Sequence, residues 1–297
     1  MNPAQRRQAA LITVAAVALL AVLHGLPRDT RLSHMDFVPA GEQALEFCDP
    51  TNPRFLPVVA RPGAVTLALA AEPPARAGAP TTVALSLRTA TGRPIGPADL
   101  RPTAGESLQL QIVDAALDDY QHVVPRPQAQ HGEWRFAFTP RRGGLYRVFA
   151  DLTPRATGQE VYVSAALPVG AGPSGPAVAM PAQAFSREGC RFTLTASTRP
   201  IYARQPLVLS LEIERIGGGM VPIVPEDGAF AHLVAFDPAR TGFFDLTPPP
   251  GGPPPNPFHP QREFKGTFSE PGKYVLWCRV NLGGREVSGP FGIEVIP

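Results

Sequence analysis

The stretch GGLYRVFADL (143–152) returns 128 residues later as PGKYVLWCRV (271–280), and this repeat decides the fold. In a β-strand alternate side chains share a face. Tyr146, Val148 and Ala150 then lie on one face, and Arg147, Phe149 and Asp151 on the other. The second copy sets Tyr274, Leu276 and Cys278 against Val275, Trp277 and Arg279. The first face is apolar in both copies and is expected to face a core. Cys278 occupies the slot of Ala150, which suits a small buried thiol. A disulfide to Cys190 and a metal-binding role are the alternatives.

Other blocks repeat in the same order. VTLAL matches FTLTA, VALSLR matches LVLSLE, and RPI (93–95) meets VPI (221–223). DAALDDYQHVVP (114–125) aligns without a gap on DPARTGFFDLTP (237–248). Each half holds seven short runs of strand-forming residues bounded by Pro, Gly or Asp, the spacing of an all-β sandwich. The expected fold class is therefore all-β, two tandem immunoglobulin-like β-sandwich domains after one N-terminal transmembrane helix. Domain 1 is expected at 61–169 and domain 2 at 184–297, joined by a Pro/Gly linker over 170–183. With 37 prolines and 28 glycines in 297 residues, long helices are disfavoured, because Pro lacks an N–H and clashes with the preceding turn.

The N-terminus points to a compartment. Arg6 and Arg7 precede AALITVAAVALLAVLHGL (9–26), a run without charge. That length suits a short membrane span, with residues 1–8 in the cytoplasm and the bulk of the chain outside. A cleaved signal peptide is the rival reading. Residues 27–60 read as a polar, Pro-punctuated tether. The expected location is the inner membrane, single-pass, facing the periplasm or the outside of the cell. The formal charge is +2 and the basic residues are scattered, so no nucleic-acid partner is expected. Three distant cysteines (Cys48, Cys190 and Cys278) exclude a disulfide framework and offer no CxxC spacing.

The paired hairpin carries the candidate chemistry. If LQLQIV and DYQHVV pair, Gln109 lies near His122, and the equivalent pair is His232 and Asp245. Cross-strand neighbours have Cβ atoms about 5 Å apart, and a histidine with a carboxylate suits zinc or copper(II). Three aspartates (Asp114, Asp118 and Asp119) invite a calcium reading, but the DxDxDG pattern is missing, and Asp favours such turns for local reasons. His131 and His259 fall in loop-like surroundings. GxSxG, HExxH and P-loop patterns are missing, so the catalytic motifs that could name an enzyme are not there.

On QLQIVDAALDDYQHVVP, GLYRVFADLTP and HLVAFDPARTGFFDLTP, the chain resembles bacterial membrane-anchored envelope proteins with tandem YtkA-like domains. That resemblance implies a link to copper or heavy-metal handling and a His-x-His-Pro segment. The segment falls on His122, Val124 and Pro125 in the first copy, and on Asp245, Thr247 and Pro248 in the second. The leading histidine is Gln109 in the first copy and His232 in the second. The residual ligands it implies are His232, Asp245 and His122. The expected function is a non-enzymatic binding or scaffold module with an envelope protein as partner and no cofactor. The alternatives are an accessory protein in metal handling, with copper or zinc, and an enzyme of unknown class.

Overall fold

The computed structural model describes residues 3–25, 32–37, 55, 58–59, 63–102, 106–170, 172, 180–226, 228–248 and 253–297. Cys48 and most of the expected linker lie outside them. Among the described residues, nineteen strands follow an N-terminal helix, α1 (Pro3–Gly25). The first copy holds β1 (Val65–Ala71), β2 (Thr81–Thr89), β3 (Leu100–Arg101), β4 (Gln109–Val113), β5 (Tyr120–Val123), β6 (Arg126–Pro127), β7 (Glu133–Phe138), β8 (Gly144–Pro154) and β9 (Val161–Val169). The second holds β10 (Ala184–Arg187), β11 (Cys190–Ala196), β12 (Ile201–Tyr202), β13 (Pro206–Arg215), β14 (Ile223–Val224), β15 (His232–Phe236), β16 (Phe243–Asp245), β17 (Gln261–Thr267), β18 (Gly272–Leu282) and β19 (Arg285–Ile296).

Each copy is built from two sheets. In the first, β1-β2-β7-β6 opposes a sheet in which β8 pairs with β4, β3 and β9, and β5 pairs with β4. In the second, β10-β11-β13-β17 opposes β12-β19-β18-β15-β16. The repeat is thus structural: β8 and β18, β4 and β15, and β5 and β16 take the same places. The binary pattern explains the packing. Along β2, alternation buries Thr81, Val83, Leu85, Leu87 and Thr89 on one face, as period-2 sequences should. The expected core face is confirmed, since Tyr146, Val148 and Ala150 are buried in the first core and Tyr274, Leu276 and Cys278 in the second. Cys190 and Cys278 are both buried and both free. Burial among apolar neighbours pushes the Cys278 thiol up to about 12, which favours the neutral thiol over the thiolate.

One expectation is not shown and another changes. The transmembrane helix expected over 9–26 is not shown: among the described residues no helix is long and apolar enough to cross a membrane. The expected tether, where it is described, is docked. Leu32 and Phe37 are buried in the first core, with Asp36 paired to Arg93 at 2.7 Å. Phe55 stacks edge-on against Tyr274 of the second core. These large side chains sit between prolines and polar residues, so no periodicity announces them.

Candidate site at the interface between the copies

The second face of β8 and β18 is not turned to water. From Tyr274 to Val280 every residue of β18 is buried, so both faces of this strand are covered. The cover on the second face is the other copy. A third apolar cluster joins Val113, Leu117, Tyr120 and Phe149 of the first copy to Val234, Phe236, Phe243, Val275 and Trp277 of the second. Tyr120 stacks on Trp277 with ring centroids 5.4 Å apart. Its counterpart Phe243 meets Phe149, the counterpart of Trp277, at 5.3 Å. Residue i of one copy contacts j of the other, and j contacts i, which is the signature of an isologous interface. The chain thus pairs its two halves about a pseudo-two-fold axis, as a symmetric dimer pairs its subunits. The aligned loops of the sequence are the two halves of this contact.

Polar groups close one end of the interface. Gln109, His122 and Asp151 come from the first copy, and their counterparts His232, Asp245 and Arg279 from the second. His122 Nε2–H donates to Gln109 Oε1 at 3.3 Å, the proximity expected from the hairpin. His232 instead donates from Nε2 to the Glu226 carbonyl at 3.0 Å. Asp245 pairs in register with Val234, and its carboxylate accepts from the Thr247 amide at 2.8 Å. Burial, then the charges of Arg279 and His232, hold His122 down at about 3. Burial, Glu160 and Asp245 push the Asp151 carboxyl well above its usual range. Both shifts reach across the interface: His122 senses the histidine and arginine of the second copy, and Asp151 senses Asp245. Arg279 is only 4% exposed and lies 3.5 Å from both Glu226 and Glu286.

The structure therefore brings His122 towards His232, with a guanidinium beside them. Among the described residues, no three His, Cys, Asp or Glu side chains form a group that could hold a metal ion. The aspartates of the first hairpin turn are committed locally. Asp114 accepts from the Asp118 and Asp119 amides, Asp118 pairs with Arg142 at 2.8 Å, and buried Asp119 accepts from the Arg141 amide and the Tyr146 hydroxyl. His131 bonds the buried Asp99 at 2.8 Å, whereas His259 is exposed. Reasoning from one strand at a time missed Asp151, Glu226 and Arg279 as site residues. The available signal was the repeat itself, which puts Asp151 and Arg279 at one position on the mixed face.

A family model described as "Domain of unknown function (DUF8832)" matches residues 60–169 and 184–296. This match does not confirm the YtkA-like resemblance of the motifs. A search of curated proteins returned no match. Among solved structures, similarity extends to a DUF4785 family protein from Legionella pneumophila, at 10% identity and a TM-score of 0.25, covering 78% of this chain and 56% of that one. The chain thus spans little more than half of that structure. Fibronectin(III)-like modules of CbhA from Clostridium thermocellum match at 10% identity and 0.19, covering 77% and 94%. A putative membrane anchored protein from Corynebacterium diphtheriae matches at 9% and 0.24, covering 78% and 59%. Scores this low carry no functional weight.

Proposed function

The chain belongs to the DUF8832 family, and from that footing we propose that it is a non-enzymatic, membrane-anchored envelope protein whose two joined domains act outside the cytoplasm as a binding or scaffold module. One observation carries the reading. The face bearing the aligned motif is spent on holding the two copies together, through an aromatic cluster shared by both. Domains in one chain move relative to each other unless their interface is extensive and hydrophobic. This one is built to present a fixed pair. His122, His232, Asp245 and Arg279 along it are bonded to neighbouring side chains or to backbone, an arrangement that suits rigidity more than turnover. The anchor rests on Arg6 and Arg7 before the uncharged run 9–26. It also rests on Leu11, Ile12, Val14, Val17, Leu19 and Leu20 of α1, all more than 60% exposed; apolar surface of that kind calls for a partner.

Expression in a bacterial host tests this. The full chain should stay in the membrane fraction after alkaline extraction and be digested by protease added to spheroplasts, while a chain starting at residue 27 should be soluble. A full chain found soluble, or protected from the protease, would overturn the reading.

A second reading, an accessory protein in copper or zinc handling with His122, His232 and Asp245 as ligands, has one observation in its favour. Histidines from both copies come within electrostatic range of one another. The Arg279 guanidinium opposite His232 opposes it, because a fixed cation repels a second one. Metal analysis of the purified full chain and of a His122→Ala, His232→Ala variant decides between them. Bound metal lost in the variant supports the second reading, and equal metal content in both removes it.

A further inference from the structure

The interface differs at its two symmetry-related ends. At one, Leu117 of the first copy meets Val275 and Trp277 of the second within the shared cluster, and Trp277 Nε1–H donates to the Leu117 carbonyl at 3.1 Å. The pseudo-two-fold carries these positions onto Arg240, Arg147 and Phe149. There the Arg240 guanidinium donates to the Leu145 carbonyl at 2.5 Å. Leu145 precedes Arg147 by two residues on β8, so their side chains share a face. An apolar Leu–Val contact on one side of the axis has become two arginines on the other.

Among the described residues, no ion pair answers these two charges. The Nε atoms of Arg147 and Arg240 are both buried without an acceptor. Burial, then the charge of Arg147, lowers the Arg240 pKa, and Asp114 and Asp237 offset this in part. Those two carboxylates are engaged in their own turns: Asp114 by the Asp118 and Asp119 amides, and Asp237 by the amides of Thr241 and Gly242 and the Thr241 hydroxyl. Two like charges facing each other across a packed contact are repulsive, and a buried N–H without an acceptor is left desolvated and uncompensated. An anion resolves both. Guanidinium groups fit oxyanions through paired N–H···O bonds.

We propose that Arg147 and Arg240 form an oxyanion site between the two copies, taking inorganic phosphate or a small phosphate ester. A doubly charged oxyanion neutralises both guanidiniums and bridges the copies at the end where their apolar contact is missing. The site is independent of the membrane and metal readings above.

The test is thermal unfolding of the full chain in detergent, with phosphate or glycerol 3-phosphate titrated against chloride at equal ionic strength. The site should raise Tm by roughly 3 °C at tenfold excess over Kd. The variant Arg147→Val, Arg240→Leu restores the apolar pair seen at the opposite end and should fold without showing a phosphate-specific shift. Should that variant fail to fold, Arg240→Gln alone keeps the neighbouring packing and should weaken phosphate at least tenfold. The proposal is overturned if phosphate and its ester stabilise no more than chloride, or if a folded variant keeps the full shift.

Discussion

His122 shows how one side chain ties the two copies to pH. In an unfolded chain an imidazole titrates near 6.5. Here burial and the cations Arg279 and His232 hold it at about 3. Below 6.5 the unfolded chain takes up a proton that the folded chain refuses. The stability associated with this ring is therefore complete above 6.5 and falls as pH drops towards 3, by no more than about 1.4 kcal/mol per pH unit. Asp151 runs the other way. Its carboxyl is raised, so its contribution is present at low pH and lost as pH rises through the folded value. Denaturant titrations of wild type and His122→Gln between pH 7 and 4 separate the two. The variant should lose less stability over that range, and an unchanged slope would mean that the ring is not shielded as described. The sequence pairs Gln109 with His122 and His232 with Asp245 as strand neighbours. It could not show that His122 is governed by residues of the other copy, because that proximity comes from docking and not from spacing.

The strands β8 and β18 set what was legible at the next level. Their alternation identifies Tyr146, Val148 and Ala150, with their counterparts, as the core face, and all are buried. The opposite face mixes Arg147, Phe149 and Asp151, or Val275, Trp277 and Arg279. Such a mixture reads as solvent-facing when one strand is considered alone. In the folded chain its aromatics form the intercopy cluster and its charges line the ends. Aromatic pairs of this kind contribute about 0.5–1.5 kcal/mol each beyond their buried area. Removing Trp277, which stacks on Tyr120 and donates to the Leu117 carbonyl, should cost about 3–5 kcal/mol as Trp277→Ala, measured by chemical denaturation. A loss below about 1 kcal/mol would mean the copies are held elsewhere.

Across the whole molecule, the shared cluster predicts cooperation between the halves. Calorimetry of the wild type should give one unfolding transition, and Trp277→Ala should resolve it into two, because each copy keeps its own core while losing the contact that couples them. Two transitions in the wild type would show the halves to be independent. The docked points of the N-terminal segment belong to the same picture, since Phe37 packs into one copy and Phe55 against the other. From residues alone came the strand content, the tandem repeat and the inward face of each sandwich, since these follow from local periodicity and recurrence along the chain. Folding in three dimensions added the pairing of the copies, the burial of the mixed face, the docked segment and the arginine pair. Those depend on surfaces far apart in sequence meeting, and no local pattern encodes which of two half-polar faces will find its own image.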